Sequence, residues 1–371
     1  MKDNIIVLID TYYLKAAPAG IKTYINQLVQ STKISKSHNI KYICSSTLNP
    51  SFHSLSYLNS ENRLMRWIFQ IKYFFWKQVV LPLQCIKHNA DFLICPDYVL
   101  PFWNLNLKKI VVLHDSMFWV NKNDYSKVWR FYYLKSISIG IDKGTTIVTT
   151  SLDAKKSLKK VLKIKNRIEV IYQSCSKFSK LKNANDEKII LHVGSFEKRK
   201  NLITLVKAFL ILKNNSKNHN LKLVLAGSTN FFGNSIEFKK INNFIKTNNL
   251  QNEIKITGHL SDEQVRELYS RAYLYVFPSN SEGFGIPIIE SFASSTPVIC
   301  TNIGVFNEIG KDAILTFEKN DYLDLSSKME LLIGSKKLRK ELILKGQERL
   351  KAFSNENFID SYEKLFKIIS K

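Results

Sequence analysis

Short runs of almost wholly apolar residues alternate with helical stretches along this chain, and the rhythm starts, fades and starts again. In the first half such runs read as strands at 5–9, 40–44, 92–95, 110–113 and 147–148, with helical stretches from residue 21 and near 62–79, 125–139 and 153–162 between them. Strands this apolar have no wet face. They belong in a mostly parallel sheet covered by helices on both sides. A polar stretch, CSKFSKLKNANDE, follows at 175–187 and reads as a linker. The second half then gives strands at 188–193, 221–225, 254–257, 273–277, 297–300 and 313–317, and helices at 201–214, 235–248, 261–271, 286–294 and 322–351.

The expected fold class is therefore α/β, with two doubly wound, Rossmann-like domains facing across a cleft and binding loops at the carboxyl ends of their strands. The boundaries read as 1–174 for the first domain, 175–187 for the linker, 188–352 for the second domain, and 353–371 for a terminal helix that can dock back on the first. Ser151 before an acidic first turn reads as a helix cap.

Composition narrows the partners. Fifty-five Lys and Arg against thirty-one Asp and Glu leave +24, dispersed among Asn and Ser as in LKNNSKNHN. That pattern fits surface drift and attraction to an anionic partner equally. No apolar run reaches the length of a membrane span, and Asp3 and Asp10 break the first one, which reads as a strand and not a secretory signal. The five cysteines, Cys44, Cys85, Cys95, Cys175 and Cys300, show no CxxC spacing and read as free thiols of a reducing compartment. One helical stretch, RLMRWIFQIKYFFWK at 63–77, is both cationic and aromatic. It reads either as a core-facing helix with a solvated side or as a surface for anionic lipid.

Two segments of the second half carry chemistry. In SNSEGFGIPIIE, Gly283 and Gly285 bracket Phe284 where a strand turns into a helix, and Pro287 suits the first turn of that helix. Such a start offers backbone N–H groups to an anion. Glu282 and Glu290 add two carboxylates, acceptors for sugar or ribose hydroxyls; the plain alternative is a tight turn with an acid complementing the helix dipole. In HVGSFEKRKN, Gly194 ends a strand and Arg199 and Lys200 precede a helix. These two cations can neutralise a diphosphate, or belong to a solvated turn. In the first half, His114 and Asp115 close the strand IVVLHD, where an imidazole can donate to a hydroxyl with the acid orienting it. Gly20, in APAGIKTY, would allow backbone to approach a ligand.

Together these segments resemble the retaining glycosyltransferases of family 4, which have the two-domain GT-B architecture, and among them bacterial surface-polysaccharide mannosyltransferases. The resemblance covers nearly the whole chain and is strongest over 188–308. Glu282-Gly283-Phe284-Gly285 with Glu290 is similar to the family's two-glutamate donor signature, and GSFEKRKN to its phosphate-binding turn. TGHLSDEQVRELYSRA and TPVICTNIGVFNEI resemble the stretches on either side of the donor loop; WKQVVLP, ADFLICP and VVLHD resemble first-domain segments. Two departures stand out: APAGIKTY replaces a glycine-rich turn followed by Arg, and Ser295 lies where a glycine is usual.

The resemblance implies that Arg199 and Lys200 hold the donor diphosphate with backbone from Gly194 and Gly283 to Gly285, that Glu282 contacts the transferred sugar and Glu290 the ribose, and that His114 reaches the sugar from the other domain. It implies a nucleotide diphosphate sugar as donor, GDP-mannose first and a UDP-hexose or UDP-N-acetylhexosamine as the alternative. The acceptor would be a glycan or lipid-linked oligosaccharide at the inner face of the membrane. No cofactor and no metal are expected, since DxD is absent and the basic pair supplies the neutralising charge. The competing classes are weaker. A dehydrogenase lacks GxGxxG after its first strand, and a nucleic-acid binder lacks a zinc-finger spacing and a dense basic tract. An epimerase or glycan phosphorylase of the same architecture is separable by product analysis.

Overall fold

The computed structural model describes residues 4–46, 63–120, 127–175, 188–214, 220–229 and 235–370. The linker expected at 175–187 lies outside the described residues from 176 onward. The chain divides into two compact units. One comprises Met1–Ser174 together with Ser354–Lys371, and the other Cys175–Phe353.

The first unit holds strands β1 (Ile5–Ile9), β2 (Ile40–Cys44), β3 (Phe92–Cys95), β4 (Lys108–Val112), β5 (Thr146–Thr149) and β6 (Ile168–Val170). They form one parallel sheet in the order β2-β1-β3-β4-β5-β6. Its helices are α1 (Ala19–Thr32), α2 (Arg63–Phe75), α3 (Leu81–Lys87), α4 (Met117–Val120), α5 (Lys127–Gly140) and α6 (Leu152–Val161). Residues such as Leu8, Leu93, Val111 and Ile147 face one apolar layer, while Val7, Ile9, Ile94 and Val112 face another. Burial on both faces explains why these strands carry no polar alternation. The Ser151 side chain caps α6 by accepting from the Ala154 N–H.

The second unit repeats the design with β7 (Lys188–Val193), β8 (Leu221–Ala226), β9 (Ile254–Gly258), β10 (Leu274–Phe277), β11 (Val298–Thr301) and β12 (Ile314–Phe317). Their order is β12-β11-β10-β7-β8-β9, again parallel. Helices α7 (Leu202–Asn214), α8 (Ile236–Thr247), α9 (Asp262–Arg271), α10 (Ile286–Ala293), α11 (Gly304–Gly310), α12 (Tyr322–Gly334) and α13 (Lys336–Leu350) cover it. A final helix, α14 (Asn355–Ile369), belongs to the first unit. There it buries Phe358, Ile359, Tyr362, Leu365 and Phe366 beside Tyr24 and Leu28 of α1. The Tyr24 and Tyr362 hydroxyls hydrogen-bond at 2.6 Å.

Several expectations need correction. The single helix expected over 322–351 is two, because the Ser335 side chain accepts from the Leu338 N–H and starts a new helix. The helix expected near 62–79 continues to Lys87 through a π turn at Trp76–Val80. β6 and α11 were not foreseen: the first is three residues long, and the second is seven and opens and closes on glycine. Ser295 does adopt the left-handed backbone that favours glycine, with φ 54°, and its hydroxyl accepts from Gln347. All five cysteines are free, and all but the half-buried Cys44 are buried.

Candidate functional site

The strand order of the second sheet reverses at β7, which has β8 on one side and β10 on the other. Loops leaving the carboxyl ends of β7 and β10 therefore open at one crevice. After β7 the chain passes Gly194 and a single 3-10 turn, Lys198–Lys200, before α7. After β10 it passes 279–284 to Gly285, whose φ of 113° starts α10. A Cβ at Gly285 would press on Ile288 and Phe306 at 3.3–3.4 Å, so only glycine suits both the backbone and the space. Gly194 is equally confined, since a Cβ there would lie 2.9 Å from His192 Nε2.

The two loops are joined. The Asn280 N–H donates to the Arg199 carbonyl at 2.8 Å, and the Arg199 guanidinium donates to the Ser281 carbonyl at 3.3 Å. One carboxylate oxygen of Glu282 receives both Lys200 Nζ at 2.7 Å and Arg199 Nη1 at 2.8 Å. Glu197 grips the other side of Arg199, Nε to Oε2 at 2.8 Å and Nη2 to Oε1 at 3.2 Å, and itself accepts from the Ser195 hydroxyl. Lys200 is buried and sits 5.2 Å from the Phe277 ring centre. Two cations face two carboxylates, so in this state the basic pair is neutralised from within. A diphosphate, carrying more charge and more acceptor oxygens than Glu282, can compete for both donors.

Burial alone would raise the Glu282 pKa, but Arg199 and Lys200 outweigh it and hold the carboxyl down at about 2. Glu290, on α10, has no such cation among the described residues. Burial pushes its pKa up to about 7, with Asp262 adding to the rise and a hydrogen bond from Tyr269 opposing it. The two glutamates of one loop and helix thus differ in charge near neutrality. The Phe284 ring is buried edge-to-face against Phe353 at 5.8 Å. His192, below Gly194, is fully buried with Nδ1 bonded to the Val276 carbonyl at 3.0 Å, and burial lowers its pKa to about 4.

Gly194, Arg199, Lys200, Glu282, Gly283, Phe284, Gly285 and Glu290 therefore lie in the second unit, while Gly20 and His114 lie in the first. Asp115 accepts from the Met117 N–H, and the His114 ring lies with Nε2 2.8 Å from the Pro96 carbonyl and in edge contact with Tyr24. Burial lowers its pKa to about 4, so the ring is neutral at physiological pH. Gly20 is exposed in the first turn of α1, with nothing within 4 Å of where a Cβ would stand. Sequence reading missed Glu197 as the partner of Arg199, although it stood within EKRKN, and Tyr269, which no local signal ties to Glu290. In the first unit, Asp10, Cys95 and Asp97 place their ligand atoms within 4.8 Å of one another. Lys77 Nζ bridges the two carboxylates there, at 2.7 and 2.6 Å.

Comparison with known proteins places this geometry in context. Residues 175–349 match the family model described as glycosyl transferases group 1. An uncharacterized glycosyltransferase of Methanocaldococcus jannaschii is 33% identical over 268 residues, covering 72% of this chain and 70% of that protein. The O-antigen chain mannosyltransferase of Salmonella typhimurium is 28% identical over 53% of each chain, so the match spans about half of that relative. Among solved structures, the sucrose-phosphate synthase of Thermosynechococcus elongatus superposes with a TM-score of 0.75 at 19% identity, covering 99% of both chains. A protein of Anabaena in complex with UDP-glucose gives 0.70 at 11% identity, covering 98% of this chain and all of that one.

Proposed function

The chain belongs to the glycosyl transferases group 1 family and is a glycosyltransferase of GT-B architecture, and from that premise we propose that its second unit holds the diphosphate of a nucleotide sugar between the Arg199–Lys200 turn and the Gly283–Gly285 loop. The observation that carries the proposal is the joining of these turns through Glu282, which brings both cations to one oxygen at 2.7–2.8 Å. On donor binding the phosphate oxygens take over these donors. Glu282 is released to accept from hydroxyls of the sugar, and Glu290 takes the ribose hydroxyls. Neutral His114, with its one proton on Nε2 toward the Pro96 carbonyl, accepts at Nδ1 from a hydroxyl of the transferred sugar.

Transfer then proceeds with retention. The acceptor hydroxyl oxygen bonds to the anomeric carbon on the face from which the diphosphate leaves, the carbon–oxygen bond to phosphate breaks, and the leaving phosphate oxygen takes the hydroxyl proton. Arg199 and Lys200, with backbone N–H groups of the Gly283–Gly285 loop, absorb the charge that develops on the diphosphate. Glu282 serves as a hydroxyl acceptor, and attack from the face that the diphosphate leaves needs no covalent carboxylate nucleophile. The acceptor is a glycan or lipid-linked oligosaccharide in polysaccharide synthesis.

For the donor, a UDP-hexose is the better supported reading, since a solved fold covering nearly this whole chain carries UDP-glucose. GDP-mannose stands second, favoured by the mannosyltransferase name of the Salmonella relative. The test is a panel of nucleotide sugars scored for binding, slow hydrolysis and transfer. Lys200→Ala should weaken every nucleotide diphosphate by about tenfold or more, the cost of losing one hydrogen bond between charged groups. Glu282→Ala should spare UDP binding and abolish transfer. Unchanged nucleotide affinity in Lys200→Ala would refute the site, and turnover of GDP-mannose alone would reverse the order of donors.

A further inference from the structure

In the first unit, α2, the π turn and α3 run on as one helical rod from Arg63 to Lys87, about 35 Å long at 1.5 Å per residue. Its inner stripe, Phe69, Tyr73, Leu81 and Cys85, is buried in the core. Its outer stripe is apolar too. Trp67 is 65% exposed, and Ile71, Phe75, Leu83 and Ile86 are likewise open. A helix that is hydrophobic on both sides while packed on only one leaves a face that water does not favour.

The face extends beyond the rod. The π turn leaves the Gln78 carbonyl available, and the Trp103 indole donates to it at 2.7 Å while Phe102 packs edge-on to Phe74 with ring centres 6.0 Å apart. This pins an exposed aromatic loop alongside the helix. Phe74, Gln78, Phe102 and Trp103 line a groove of about 400 Å³. A second groove of about 240 Å³ shares Phe74 and Phe102 and continues to Phe131, Lys135 and Ile139 of α5, where Phe131 is 71% exposed.

Charge identifies the occupant. No Asp or Glu occurs in 63–90, 98–114 or 127–141, the described segments that build this face, whereas Lys72, Lys87, Lys127 and Lys135 are exposed on them. A second copy of the chain meeting this face across a two-fold axis would oppose cation to cation with no acid to pair. Scattered aromatics flanked by lysines along a rod of this length suit an anionic bilayer instead. The rings enter the headgroup boundary, and each cation near a negative surface adds about 1 kcal/mol.

We propose that this face of the first unit, carried by Trp67, Ile71, Phe75, Trp103 and Phe131, docks on the surface of a bilayer rich in anionic phospholipid. The docking stands apart from the donor and acceptor assignments, because vesicle binding is read without nucleotide and its failure leaves those assignments untouched. The test is co-sedimentation of the full chain with phosphatidylcholine vesicles, with and without about 30% phosphatidylglycerol. Anionic vesicles should bind at least about tenfold more protein, and about 0.5 M salt should reverse most of the gain. Ile71→Glu with Phe131→Glu should lose binding by at least about tenfold while melting temperature and nucleotide-sugar hydrolysis in solution stay unchanged. Lys72→Glu with Lys135→Glu, which leaves the apolar face intact, should lose the preference for anionic lipid. Equal binding to neutral vesicles, retention of binding in the Ile71 and Phe131 variant, or a dimer that excludes vesicles would each overturn the proposal.

Discussion

Glu282 and Glu290 stand eight positions apart in one loop and helix, yet one is ionised far below neutrality and the other holds its proton to about pH 7. The difference is local: Glu282 has two cations on one oxygen, while Glu290 is half-buried beside Tyr269 with an acid at longer range. This gives a signed prediction. The folded pKa of Glu290 lies above its ordinary value of 4.5, so the free protein keeps the proton until pH passes about 7. Ribose hydroxyls bind best to the ionised form, which accepts from both. Nucleotide affinity should therefore rise by about tenfold between pH 6 and 8 in a calorimetric titration, and Glu290→Gln should flatten that rise. At this scale the sequence was informative about identities and silent about partners. GFG and KRK could each be read as an anion-binding turn, but a separation of 82 positions between Lys200 and Glu282 hides their contact. The grip of Glu197 on Arg199 was hidden for a different reason, since neighbours two apart meet only in particular backbone conformations.

Among the elements, the π turn of the first unit does two jobs. Outward it frees the Gln78 carbonyl for Trp103; inward it delivers Lys77, fully buried, to Asp10 at the end of β1 and Asp97 beyond β3. β1 lies where the first sheet reverses direction, between β2 and β3, so Lys77 fills the crevice that a doubly wound sheet offers there. Tyr73 and Trp76 donate to the same two carboxylates, at 2.9 and 3.0 Å. Lys77→Met should leave two buried carboxylates without their cation and cost about 3–5 kcal/mol, read as a lowered denaturation midpoint. A loss within about 0.5 kcal/mol would contradict this account. The strands were legible because apolar runs buried on both faces have few alternatives. The π turn was not, because helical periodicity does not distinguish one inserted residue, and the break at Ser335 was masked by apolar spacing that continues on both sides of it.

At the scale of the whole molecule, the first unit is discontinuous in sequence, and its final helix supplies five buried apolar side chains. At about 1.5–3 kcal/mol each, their removal costs as much as the entire stability of an ordinary domain. A chain ending at Phe353 should thus lose its first unit to limited proteolysis while a fragment near 188–353 resists; equal resistance of both would show that α14 is dispensable. That helix was legible from the spacing of Phe358, Tyr362, Leu365 and Phe366, but its docking surface was not, because one amphipathic stripe fits many partners. The repeated rhythm of the two units was legible as well. The order of strands within each sheet, which sets the crevice at β7 and β10, came only from the structure. The account rests on that crevice, and a structure with UDP bound tests it most directly. The diphosphate oxygens should lie about 2.7–3.2 Å from Lys200 Nζ and an Arg199 nitrogen, with Gly283–Gly285 backbone against them and Glu282 displaced from the cations. A diphosphate bound elsewhere, with Glu282 still holding Lys200 at 2.7 Å, would contradict it.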